Sequence, residues 1–177
     1  RALLLVGFAG AFRRSELVAM TTDDIRVVPN GLEVRVFRQK TQRRQTLGVA
    51  PNEQNPDVCP VNRWVAWCDT RPHPTSDAAF PALGPTKTDT GAMSTQRVFA
   101  IMRARALQAG LPSRLITPHS LRAGAATHLI GLGVSEVEVM RRTDHTSLSV
   151  FAGYVRRAGV WDDPTVDPWG STERTGR

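Results

Sequence analysis

The single tyrosine of this chain, Tyr154, stands nine residues after His145, and His145 itself follows a segment reading Thr117-Pro118-His119-Ser120-Leu121-Arg122. A phenol downstream of two histidines and an arginine is a candidate nucleophile with a phosphate clamp near it in sequence. Cleaving a phosphodiester without a metal needs a nucleophile in line with the leaving oxygen, cations that bind the charge-rich transition state, and an acid that protonates the departing oxygen. Arg122 lies three residues after His119, so on one helical face both side chains can approach a single phosphate. Arg13 offers a second guanidinium, whose planar fork suits two-point contact with phosphate oxygens better than a lysine does.

The elements that must carry these groups are legible from apolar spacing. Residues 2–20 read as helix with a break near Gly7 and Gly10, which puts Arg13 at a helix join. Residues 24–28 and 32–38 read as strands joined across Pro29-Asn30-Gly31, where Asn-Gly supplies the positive φ of a tight hairpin. Residues 46–50 add a third strand after the polar stretch Lys40-Thr41-Gln42-Arg43-Arg44-Gln45, which leaves Lys40 on a connecting loop. In residues 60–69, Val61, Trp64, Val65 and Cys68 recur at helical spacing and read as a core helix, with Pro60 tolerated in its first turn. Residues 70–92, rich in Pro, Thr, Asp and Gly, read as a long surface connection. A basic amphipathic helix follows over 94–109, capped by Ser94, and three short helices are expected over 118–131, 135–142 and 147–157. The last twenty residues, with Trp161 and Trp169, read as a poorly structured tail. The fold class is therefore mainly α with a small antiparallel β-sheet.

Composition bounds the function. At 177 residues the chain fits one domain, large enough to bury roughly 70% of its unfolded surface and so to hold a core. Lysine and arginine number 23 against 16 acidic residues, a net charge of +7 that favours a polyanionic partner such as nucleic acid over a plain basic surface only in company with other signals. Cys59 and Cys68 are the only cysteines, with no Cys-x-x-Cys or Cys/His cluster to hold zinc. No signal peptide precedes the first helix and no apolar run is long enough to span a bilayer, so the expected compartment is the cytoplasm. The opening run Arg1-Ala2-Leu3-Leu4-Leu5-Val6 has no capping residue before it and reads as cut from a longer chain.

Over residues 2–157 these motifs resemble the catalytic domain of the tyrosine recombinase (phage integrase) family. Phe12-Arg13-Arg14-Ser15-Glu16-Leu17 is similar to the family's first motif, an arginine followed three residues later by an acidic and then an aliphatic residue, which selects Arg13 over Arg14. Arg38-Gln39-Lys40-Thr41 resembles its hairpin lysine, His119-Ser120-Leu121-Arg122 its His-x-x-Arg box, and Asp144-His145-Thr146-Ser147 with Tyr154 its Gly-His segment and nucleophile. The resemblance implies that Tyr154 attacks a DNA phosphate to give a 3′-phosphotyrosyl enzyme and a free 5′-hydroxyl, needing neither ATP nor a metal. It assigns Arg13 and Arg122 to the non-bridging oxygens, Lys40 to the general acid, His119 to proton acceptance from Tyr154, His145 to a phosphate hydrogen bond, and Glu16 to orienting these groups from behind. A free phenol titrates near pH ~10, so cations such as Arg122 and Arg13 must favour its phenolate. The implied partner is double-stranded DNA bound by a homotetramer on two sites, the isolated chain being monomeric and bacterial or phage-encoded. The expected domain is 1–157, the tail 158–177 docks on a neighbouring protomer, and the family's N-terminal DNA-gripping domain has no counterpart in these residues.

Each residue alone has a plainer reading. Tyr154 singly is a half-buried core residue, and His119 and Arg122 are a helix-start histidine and a surface cation; six such residues recurring in order around a hairpin are hard to obtain by chance. Lys40 competes with Arg43, Arg44 and Lys87, all placed in loops. His128 reads as packed or capped and His73 as a loop residue. Arg43, Arg44, Arg97 and Arg103 are candidates for DNA phosphate contact, against a solvated basic face. Asp144 departs from the family's glycine: it tolerates a left-handed turn, but its carboxylate would repel a nearby phosphate. Two alternatives stay open, a DNA-binding module of the same fold that does not cleave and a type IB topoisomerase-like enzyme.

Overall fold

A computed structural model describes residues 1–39, 41–71, 76–86, 88–145 and 151–153. The chain divides into two compact units, Arg1–Ala125 and Ala126–Arg177. The expected boundary at residue 157 and the tail beyond it lie outside the described residues.

The first unit opens with α1 (Ala2–Ala9) and α2 (Arg14–Ala19). The expected break falls at Gly10, which caps the end of α1, whereas Gly7 sits inside the helix. Its missing side chain permits close packing, since a Cβ there would come within 2.9 Å of Leu17. The chain turns at Ala11, whose φ of 51° is left-handed, and Arg13 in extended conformation precedes α2. The Arg13 backbone N–H donates to Glu16 Oε2 at 2.7 Å, which satisfies a donor that a helix start otherwise leaves open.

Strands β1 (Ile25–Val28), β2 (Gly31–Arg38) and β3 (Arg43–Val49) form an antiparallel sheet in that order. The hairpin expected across Pro29-Asn30-Gly31 is present, and since Val28 pairs with Gly31 its turn is only the two residues Pro29-Asn30. Gly31 alone supplies the positive φ, 133°, and a Cβ on it would meet the Val49 carbonyl at 2.1 Å. The third strand begins three residues earlier than expected, which moves Arg43 and Arg44 from a loop onto β3, opposite Arg38 and Phe37. Alternation on β2 turns Leu32, Val34, Val36 and then Arg38 inward, and all four are buried.

The helix expected over 60–69 is α3 (Pro60–Thr70). It contributes Trp64 to the core, in edge contact with Phe80 at 5.6 Å, while Val65 and Cys68 face solvent. Trp67 is half-buried and donates its indole N–H to the Ala79 carbonyl at 2.9 Å. Residues 70–92 are not simply a surface connection. They contain the hairpin β4 (Pro81–Leu83) and β5 (Asp89–Ala92), with Ala78, Ala79 and Phe80 buried ahead of it. Helix α4 (Thr95–Gln108) follows, and Ser94 Oγ accepts the Arg97 N–H at 3.1 Å as its cap. The core joins Val6, Phe12, Leu17, Val34, Val36, Leu47, Trp64, Phe80, Val98 and Met102.

Helix α5 (Ser120–Gly131) contains the division between units, and α6 (Glu136–Thr143) belongs to the second; both lie within two residues of their expected bounds. Ser135 Oγ caps α6 by accepting the Glu138 N–H at 3.3 Å. Glu136 and Glu138 occupy its first turn and Arg141 and Arg142 its last, an order that complements the helix dipole. Of the helix expected over 147–157, residues 151–153 are helical and the rest lies outside the described residues. Ala126, Val139 and Phe151 form this unit's core, with Leu129, Ile130, Val134 and Met140 packed around them. His128 is exposed, which sets aside the packed alternative of its packed-or-capped reading.

Candidate active site

Three guanidinium groups gather on one carboxylate. Arg13 Nη1 lies 2.9 Å from Glu16 Oε1, Arg38 Nη1 lies 2.8 Å from Oε2, and Arg122 Nη1 lies 4.0 Å from the same Oε2. Glu16 is thus a shared carboxylate for three arginines that come from a helix start, a strand end and a second helix start. The helix start fixes Glu16, whose Oε2 also accepts the Arg13 N–H. Arg122 Nη1 donates to the Ala11 carbonyl at 3.2 Å, so the left-handed turn before α2 aims a backbone dipole at this arginine. The Arg13 side chain keeps 21% exposure while that of Arg122 keeps 4%, which leaves Arg13 the more open of the two.

Arg38 is the member that motif reasoning passed over. Its side chain is wholly buried, and removing a guanidinium from water costs several kcal/mol unless it is well partnered. Besides Glu16, its Nε donates to Gln45 Oε1 at 3.0 Å, and its Cζ stands 5.9 Å from the Phe12 ring centroid. The sequence held a signal for it, because Leu32, Val34 and Val36 at alternate positions put residue 38 on the inward face.

Arg14 turns to α4, where Nη1 donates to the Thr95 carbonyl at 3.0 Å and Cζ stands 5.5 Å from the Phe99 ring. His119 lies just before α5 and is exposed, its N–H donating to Thr117 Oγ1 at 3.3 Å. The Thr117 N–H donates to Ser120 Oγ at 2.8 Å, a local turn that starts the helix and sets Arg122 in its first turn. Arg43, Arg44, Arg97 and Arg103 are all exposed. A hollow of about 430 Å³ is lined by Glu16, Arg35, Arg44 and Gln45 among others; of the cluster only Glu16 reaches it. Lys40 and Tyr154 lie outside the described residues, as do His73, Lys87, Trp161 and Trp169.

His145 belongs to the second unit and follows α6 directly. Asp144 ends that helix with φ 52° and ψ 42°, the left-handed conformation expected of it, and is buried. The His145 N–H donates to the Met140 carbonyl at 3.0 Å, and its ring meets Phe151 at 5.9 Å between centroids. Nδ1 lies 2.7 Å from Thr143 Oγ1. Thr143, fully buried, is a second residue that motif reasoning missed, and no periodicity marks it. Among the described residues no group of His, Cys, Asp and Glu is placed to hold a metal ion, and no helix is long and apolar enough to cross a membrane.

A mainly helical fold with a three-stranded antiparallel sheet, bearing an arginine cluster on a helix-start glutamate, defines a class: the Phage integrase family model matches residues 1–159, and the chain belongs to that family of site-specific tyrosine recombinases. Among particular proteins, it is 29% identical over 172 residues to the integrase/recombinase xerD homolog of Selenomonas ruminantium, covering 94% of this chain and 50% of that protein. It is 26% identical over 153 residues to tyrosine recombinase XerD of Rickettsia bellii, covering 84% of this chain and 48% of that one. In fold it is similar to the XerH site-specific recombinase solved with its palindromic difH substrate after cleavage, with a TM-score of 0.71 at 14% identity, over 96% of this chain and 45% of that one. The chain thus spans about half the length of the relatives it matches.

Proposed function

We propose that this chain is the catalytic portion of a DNA strand-exchange enzyme in which Tyr154 attacks a backbone phosphate and becomes joined to the 3′ end. The bond to the 5′ oxygen breaks as the phosphotyrosyl bond forms, and a 5′-hydroxyl of a partner strand later reverses the step. Bond energy is conserved in the exchange, so the reading requires neither ATP nor a metal. Arg13 and Arg122 hold the non-bridging oxygens, Lys40 protonates the departing 5′ oxygen, His119 accepts the Tyr154 proton, and His145 meets the phosphate. The observation that carries the reading is the Glu16 carboxylate shared by Arg13 and Arg122, which ties two candidate phosphate ligands 109 positions apart in sequence into one cluster.

Glu16 and Arg38 act behind them, holding orientation without contacting DNA. Arg43, Arg44, Arg97 and Arg103 supply backbone phosphate contacts, which position DNA but do not read its sequence. Residues 1–157 form the catalytic domain, and the residues after 157 dock on a neighbouring protomer of a homotetramer spanning two DNA sites. The isolated chain is a monomer acting on cytoplasmic DNA. The test is incubation of the full-length protein with a nicked suicide DNA, followed by a denaturing gel. A band of covalent adduct that Tyr154→Phe abolishes supports the reading. Relaxation of any supercoiled plasmid supports a topoisomerase instead.

One observation favours a second reading, a binding module that does not cleave: the buried, left-handed Asp144 places a carboxylate next to His145. It predicts DNA retention with no adduct from either protein.

A further inference from the structure

We infer that Thr143 is a positioning residue that fixes the proton of the His145 ring on Nδ1, and so assigns Nε2 the work on substrate. The Thr143 hydroxyl has one proton. Its Oγ1 lies 2.7 Å from the Val139 carbonyl oxygen, a fully buried contact, and two oxygens this close without a proton between them would set lone pair against lone pair. The hydroxyl proton is therefore committed to Val139. His145 Nδ1, also 2.7 Å from Oγ1, must then be the donor, because Oγ1 has only lone pairs left to offer.

The neutral ring consequently carries its lone pair on Nε2. In that state Nε2 can only accept, and it donates to a phosphate oxygen only when the ring holds a second proton and meets the anion as a cation. Thr143 is placed to impose this: it is fully buried in the last turn of α6, and the Phe151 ring packs against the imidazole at 5.9 Å between centroids. This inference rests on the recombinase reading only for what Nε2 does. The tautomer itself is independent of it.

The experiment has two arms on the full chain. In the first, histidine ring nitrogens labelled with ¹⁵N are read by long-range proton correlation at a pH where His145 is neutral. The expected spectrum shows His145 protonated on Nδ1 in wild type and in Thr143→Ser, and a shift toward Nε2 protonation in the isosteric Thr143→Val. A wild-type ring with its lone pair on Nδ1 overturns the inference whether or not the valine variant folds, and so does a folded Thr143→Val with an unchanged tautomer. In the second arm, single-turnover adduct formation on suicide DNA is expected to fall about tenfold in Thr143→Val, the size of effect that loss of one hydrogen bond holding the ring produces, and to be restored by Thr143→Ser. Equal rates in all three overturn the catalytic half. Absence of adduct from wild type overturns the recombinase reading and that half with it, while the spectrum alone decides the tautomer.

Discussion

Glu16 is the residue on which the electrostatics turn. Its carboxylate receives Arg13, Arg38 and Arg122, so its charge is spent on orienting guanidinium groups and not on interaction with solvent. The wholly buried Arg38 makes the same point from the other side, since a buried ion pair contributes little net stability yet is costly to break. Arg38→Met, similar in reach but neutral, is expected to lower unfolding free energy by about 3 kcal/mol, a fall of roughly 6–12 °C in Tm for a chain of this size. Thermal denaturation of the two proteins checks it, and a change under about 1 °C would show that Glu16 does not depend on Arg38. Arg122 was readable from its spacing to His119, while Arg13 in place of Arg14, and Glu16, were singled out by the resemblance to the family's first motif. Arg38 was readable only from strand alternation, and Thr143 not at all, because a hydroxyl that serves a neighbouring ring leaves no period in the sequence.

At the scale of elements, joins matter more than helices. The turn at Ala11 holds a non-glycine residue at φ 51° with no exposed surface, and its carbonyl is the acceptor for Arg122. A β-branched residue is disfavoured there beyond the ~1–2 kcal/mol that left-handed backbone costs an L-residue. Ala11→Val is therefore expected to destabilise by at least about 2 kcal/mol, whereas Ala11→Gly stays near neutral because relief of about 1 kcal/mol offsets a lost buried methyl group worth about the same. Chemical denaturation of both variants distinguishes this from simple overpacking, which would leave Ala11→Gly clearly destabilised. The hairpin at Pro29-Asn30 was legible because its turn chemistry is local. The β4–β5 hairpin was not, since strands of three and four residues show no alternation and begin at Pro81. Val65 and Cys68 were misjudged because helical spacing reports a face but not whether that face is covered.

For the whole molecule, the net charge of +7 and the exposed arginines of α4 and β3 bear on how the proposed DNA partner would be held. Each phosphate contact releases counterions, so affinity falls with salt. If Arg103 touches a phosphate, Arg103→Ala is expected to reduce the slope of log affinity against log salt by about 1 without altering preference among DNA sequences; fluorescence anisotropy over a salt series checks both, and an unchanged slope removes Arg103 from the interface. Composition alone left nucleic acid and a merely basic surface equally open, and only the ordered motifs separated them. The proposed strand exchange turns on one atom, the phenolic oxygen of Tyr154. The most direct measurement is protease digestion of the covalent adduct trapped on suicide DNA, with the DNA-linked peptide sequenced by mass spectrometry. The expected result is a single peptide carrying the phosphoester on Tyr154; a phosphoester on any other residue, or a trapped complex with no covalent link, would contradict it.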